Sequence, residues 1–161
     1  MPAPNYVGGI NATNGNYELR AKTGEVIQSQ AATTQTIRTR FTIAEVNAGA
    51  TVLAAVPGFK YRIVDWTMIA IGGSAATATS VDLVATASAS TVRPAVVLVA
   101  ALTRSTAVKP NSSNVTLLAD GASNTAFDAN TAITISKQSG GSNVATATHI
   151  DLILSYVVEV A

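Results

Sequence analysis

His149-Ile-Asp-Leu-Ile-Leu-Ser-Tyr-Val-Val-Glu-Val160 is the stretch that decides the fold. Ile150, Leu152, Leu154, Tyr156, Val158 and Val160 take alternate positions and face one way. His149, Asp151, Ser155 and Glu159 face the other, together with Ile153 and Val157. Successive side chains of an extended chain point to opposite sides, so period two sustained this long describes a strand with one buried face.

Working outward, Tyr61-Arg-Ile-Val-Asp-Trp-Thr-Met-Ile-Ala-Ile71 is β-rich with apolar residues on both faces, as a central strand requires. Thr131-Ala-Ile-Thr-Ile-Ser-Lys137 alternates apolar and polar, as an antiparallel strand with one solvated face does. Strands are expected near 38–46, 51–56, 60–71, 80–87, 95–103, 114–119, 131–137 and 148–160. Pro57-Gly58, Gly72-Gly73-Ser74, the 109–114 segment, Asp120-Gly121 and Ser139-Gly-Gly-Ser-Asn143 punctuate them. Pro94 before an apolar run also suits the first turn of a helix, but Val96, Val97 and Val99 favour a strand. Many short strands without alternating helices predict an all-β, antiparallel two-sheet sandwich. Connections longer than tight hairpins favour a Greek-key or jelly-roll path. No fixed-period repeat is apparent, which argues against a solenoid or propeller.

Composition bears on function before any motif does. The chain has 161 residues, no cysteine, one histidine (His149), and charged side chains at only 12% of positions. An ordinary soluble domain carries roughly 25%. Ala, Thr, Val and Ser make up half the chain. A surface this poor in charge is expected to be covered in part by a partner. A net charge of +1 argues against electrostatic binding to nucleic acid or to an acidic membrane. The longest apolar run, Ala95 to Leu102, falls far short of the roughly 20 residues of a membrane-spanning helix. Met1-Pro-Ala-Pro lacks the basic start and apolar centre of a secretion signal.

Residues 1–40 differ from the remainder. They are rich in Asn, Gln, Thr and Gly, with Tyr6, Ile10, Tyr17 and Leu19 too sparse to enclose a core. They are expected to form an extended polar arm ahead of a sandwich domain over 41–161. The arm is either a loose terminus or a segment that gains order against a neighbouring subunit or larger assembly. Spaced tyrosines suit the second role, since each can bury a ring and still satisfy its hydroxyl. Tyr6, Ile10, Tyr17 and Leu19 are therefore candidate contact residues, joined by Arg38 and Arg40, which share one face of a strand. For that arginine pair, solvent exposure, a salt bridge to a neighbouring subunit and contact with nucleic-acid phosphate stand in descending order of expectation.

Chemistry-bearing patterns are few. His149 and Asp151 share a strand face, but no Gly-x-Ser-x-Gly nucleophile accompanies them. One histidine does not make a cupin-like metal site. Asp65, Asp82, Asp120, Asp128 and Asp151 lack calcium-loop spacing, and neither Gly72-Gly73 nor Gly140-Gly141 continues into a phosphate loop. The sequon matches at Asn11, Asn111 and Asn114 carry no weight in so Asn- and Thr-rich a chain. Trp66, on a central strand, is expected in the core and not on a sugar-stacking platform. The chain is expected not to be an enzyme, with no cofactor and no metal.

The run Pro57-Gly-Phe-Lys-Tyr-Arg-Ile-Val-Asp65, the strand-rich middle and the closing 149–160 segment resemble the small decoration, or cement, proteins of tailed-bacteriophage capsids. The likeness covers roughly 41–161. It implies a jelly-roll-like domain that forms a homotrimer on the capsid exterior. There it would clamp copies of the major capsid protein by multivalent contacts without catalysis. The alternative is a carbohydrate- or receptor-binding β-sandwich of a head or tail fibre, against which stands the shortage of aromatics. Phe59, Tyr61, Trp66 and Tyr156 are expected to serve the core.

Overall fold

The computed structural model describes the backbone of residues 6–10, 17–21 and 26–29, and residues 34–86 and 91–161 in full. The first three segments are strands: β1 (Tyr6–Ile10), β2 (Tyr17–Ala21) and β3 (Val26–Ser29). They pair in the order β1-β2-β3 as an antiparallel meander with a sheet of its own. The sequence reading expected no regular element here. Strands of four or five residues, the first interrupted by Gly8-Gly9, are too short to display period two, and backbone pairing defines them instead.

The remaining strands are β4 (Gln35–Thr42), β5 (Ala50–Leu53), β6 (Phe59–Ile71), β7 (Ser80–Thr86), β8 (Thr91–Leu98), β9 (Ala107–Val108), β10 (Val115–Leu117), β11 (Ala132–Lys137) and β12 (His149–Val160). They form two antiparallel sheets, ordered β4-β12-β6-β9 and β10-β8-β7-β11-β5. The expected all-β sandwich is what the chain forms. The four-stranded sheet begins at Gln35, so it takes in the last residues assigned by sequence to the arm.

The pairs nest. β4 pairs with β12, β5 with β11, β6 with β9 and β7 with β8, all antiparallel. This is one long hairpin with the β7–β8 pair at its tip, rolled so that β12 also meets β6 and β11 also meets β7. A hairpin rolled in this way is a jelly roll, and β10 extends the second sheet beside β8. Rolling brings the apolar faces together: Ile63, Met68, Leu83, Val97, Ile133, Ile135, Ile150, Leu152 and Leu154 are all fully buried between the sheets. Tyr61 and Tyr156 close one end of this core edge to face, with ring centroids 5.8 Å apart.

Two expectations are corrected. The strand expected over 38–46 stops at Thr42, and residues Ile43–Ala48 form the helix α1. Thr42 and Glu45 make a capping box: the Glu45 amide donates to Thr42 Oγ1 and the Thr42 amide donates to the Glu45 carboxylate. Gly49, at φ +86°, ends the helix in the left-handed region that favours glycine. The signal was present in Thr42-Ile-Ala-Glu45, and α1 turns the chain from one sheet to the other. The strand expected over 95–103 is displaced to Thr91–Leu98, followed by a turn in which the Ala101 amide donates to the Leu98 carbonyl. Pro94 therefore sits inside a strand, at a register irregularity between β7 and β8, where no ladder donor is needed from it.

Candidate functional site

A dense polar cluster lies on the outward face of the four-stranded sheet. β12 alternates, so Ile150, Leu152 and Leu154 enter the core while Asp151 points away from it. The register places Arg40 directly opposite Asp151 and Arg38 opposite Ile153. Both guanidinium groups converge on the carboxylate. Arg40 Nε donates to Oδ1 at 2.6 Å and Arg40 Nη2 to Oδ2 at 3.0 Å, while Arg38 Nη2 donates to Oδ2 at 2.9 Å. The arginine side chains stay 65% and 53% exposed, and they cover a carboxylate that is only 2% exposed. Hydrogen bonding from Arg40, then from Arg38, together with their charges outweighs burial and holds the Asp151 carboxyl down at about 2. The Arg40 guanidinium is raised in turn, chiefly by its bond to Asp151.

This geometry gives Arg38 and Arg40 a partner that the sequence reading did not name. They hold an aspartate of their own chain. The only available signal was alternation, which puts Arg38, Arg40 and Asp151 on solvent-directed faces; their adjacency needed the β4–β12 register. The clamp also removes Asp151 from His149. His149 Nδ1 lies 2.9 Å from Thr148 Oγ1, and both Asp151 oxygens are taken by arginine.

A second ion pair sits on the opposite sheet. Asp82 of β7 is fully buried, and Arg93 Nη1 of β8 donates to its Oδ2 at 2.7 Å. Its Oδ1 is buried without a hydrogen-bond partner. Burial pushes the Asp82 carboxyl above its ordinary value, against the pull of Ser80 and Arg93. A third pair, Arg62 to Glu159 at 2.8 Å, is partly exposed.

Tyr6, Ile10, Tyr17 and Leu19 lie on the backbones of β1 and β2, where Ile10 pairs with Tyr17 and Gly8 with Leu19. Their side chains lie outside the described residues. Trp66 is 3% exposed and belongs to the core, as do Tyr61 and Tyr156; Phe59 is half-buried at the start of β6 and stands outside the core cluster. The Tyr61 hydroxyl donates to the Ala54 carbonyl and the Tyr156 hydroxyl to Gln35 Oε1, so both polar ends are satisfied.

Among the described residues no three His, Cys, Asp or Glu side chains gather closely enough to hold a metal ion. No helix among them is long and apolar enough to cross a membrane. A cavity of about 190 Å³ lies between Ala85, Val92, Leu118 and Phe127, and one of about 390 Å³ between Ala101, Thr103, Val108 and Asn114. The first is smaller than the roughly 300–1,000 Å³ of most small-molecule sites, and the second lies at the low end of that range. No protein-family model, curated protein or solved structure matches the chain.

Proposed function

We propose that this chain is a structural virion protein that binds the exterior of a bacteriophage capsid as a homotrimer and stabilises it by adhesion, without catalysis. The observation that carries the reading is how the fold spends its charge. The two carboxylates buried among the described residues, Asp82 and Asp151, are bonded to arginines of the chain's own sheets and so serve to join strands. The surface left over is dominated by small, uncharged residues, and only 12% of the sequence is charged. Such a surface is best solvated by being covered, and cyclic assembly covers one patch repeatedly.

The segment before β4 supplies the second element. It carries tyrosines on a polar background and precedes a sandwich whose first strand starts only at Gln35. Laid across the major capsid protein, it would add contacts that trivalency multiplies.

The test is a truncation. The full chain is expected to have a mass of about three times 16.4 kDa by light scattering, and removing residues 1–33, which leaves β4 intact, is expected to give a folded, correspondingly lighter trimer that no longer binds capsids. Undiminished capsid binding by the truncated chain overturns the role of the arm. A monomeric mass for the full chain overturns the trimer.

A further inference from the structure

Two stretches of the chain match when they are set side by side by their place in the fold. Ala76-Thr-Ala-Thr-Ser-Val-Asp-Leu-Val84 leads into and forms most of β7. Ala145-Thr-Ala-Thr-His-Ile-Asp-Leu-Ile153 leads into and begins β12. Each follows a Gly-Gly-Ser, at 72–74 and at 140–142, with Asn143 the single insertion.

The backbone repeats with the sequence. Thr77 and Thr146 both have φ +72°, a conformation that β-branched residues rarely adopt. The Ala78 amide donates to the Ala76 carbonyl at 2.9 Å, and the Ala147 amide donates to the Ala145 carbonyl at 2.9 Å. These are two γ-turns of the same hand. They face each other across an antiparallel bridge in which Ala76 and Ala145 exchange both backbone hydrogen bonds. The side chains follow: Val81 and Leu83 enter the core as Ile150 and Leu152 do, and Asp82 is turned outward as Asp151 is.

The topology agrees. Matching β4, β5, β6 and β7 to β8, β9, β11 and β12 converts the order β4-β12-β6-β9 into β8-β7-β11-β5. That is the order of the second sheet without its extra edge strand β10. Thr36-Ile-Arg38 of β4 then matches Thr91-Val-Arg93 of β8. Arg38 bonds Asp151, and Arg93 bonds Asp82.

We infer that the sandwich is an internal duplication of one four-strand unit, each copy carrying an arginine–aspartate clamp, and that Val96 occupies in one copy the position Arg40 holds in the other. The registers carry the last step. Arg40 stands directly opposite Asp151, and Val96 stands directly opposite Asp82. The irregularity between Leu83 and Ala85 adds one residue to β8, which is why Val96, and not Ala95, falls at the matching place. On its other side Asp82 meets Ser136 of β11, so among the described residues Arg93 is its one charged partner. The duplication explains an otherwise odd feature. Asp82 Oδ1 is buried without a donor because the residue that would supply one is a valine.

A reciprocal exchange tests this. Carboxyl-carbon NMR titration of Asp82 and Asp151 is run on the full chain, on Val96→Arg and on Arg40→Val. Val96→Arg is expected to move the Asp82 midpoint from above the ordinary aspartate value to below it and to raise the melting temperature at neutral pH. Arg40→Val is expected to move the Asp151 midpoint upward, towards that of Asp82. An Asp82 midpoint unmoved in folded Val96→Arg, or an Asp151 midpoint still at about 2 in Arg40→Val, overturns the equivalence. Arg40 is half exposed, so Arg40→Val gives its reading even where Val96→Arg does not fold.

Discussion

Asp82 and Asp151 share strand position, low solvent exposure and an arginine partner, yet they sit in opposite electrostatic states. Asp151 receives three hydrogen bonds from two guanidinium groups and titrates far below a free aspartate. Asp82 has a single guanidinium partner, keeps one oxygen unpaired, and titrates above it. The difference shows that burial alone does not set the fate of a carboxylate. The number of donors that meet it decides whether charge is stabilised or resisted. Burial weighs most on Asp82 and the Arg40 hydrogen bond most on Asp151, and the residue opposite each aspartate, Val96 or Arg40, separates the two donor sets.

The largest expected effect tests what the two copies share. Leu152→Ala and Leu83→Ala should each destabilise the fold by about 2–5 kcal/mol in urea unfolding, since both side chains are fully buried between the sheets. A loss below about 1 kcal/mol at either position would mean that the two strands do not hold equivalent places in one core.

Next comes the contrast itself. Asp151→Asn removes the charge and one of the two oxygens that accept from the arginines and should cost about 1.5–3 kcal/mol, the range of hydrogen bonds to charged groups. Asp82→Asn should cost clearly less, because the buried charge it removes is poorly met. Equal losses would erase the distinction between the clamps.

The two aspartates should also pull stability in opposite directions with pH. Asp151 is lowered when folded, so its contribution is complete above its unfolded value of 3.8 and is lost as pH falls from there through about 2. Asp82 is raised when folded, so the native state takes up its proton before the unfolded chain does and gains stability as pH falls. Asp151→Asn should therefore flatten the acid limb of a pH–stability curve measured by thermal melting, and Asp82→Asn should steepen it. The same slope in both variants would show that neither shift is felt by the fold.

Much of the fold was legible in the sequence because one physical pattern, period two, runs long in β12 and β6. The place of Ile150, Leu152 and Leu154 in the core follows from it directly. α1 was passed over because six helical residues are too few to show a 3.6-residue period, although the capping box at Thr42 and Glu45 marked the spot. The clamp was less legible, since Arg40 and Asp151 meet only through a register that links distant parts of the chain. The duplication was hidden for a similar reason. It occurs once, with an inserted Asn143 and an irregularity in β8, and a search for a fixed period does not find a single repeat.

The smallest effect sharpens the comparison at the turns. Thr77 and Thr146 hold positive φ, which costs a β-branched residue about 1–3 kcal/mol that the surrounding bridge must absorb. Glycine adopts that conformation freely but loses more entropy on folding, so the two terms partly cancel. Thr77→Gly and Thr146→Gly should each raise stability by about 1 kcal/mol or less, and by similar amounts, as calorimetry would read. Thr77 and Thr146 are both exposed, so neither substitution loses a buried side chain that would mask the gain. Opposite signs at the two positions would mean that one turn is held by contacts the other lacks, and that the repeat ends at the strands. Matched gains would carry the duplication through the turns and into the bridge between Ala76 and Ala145, where the two halves of the sandwich meet.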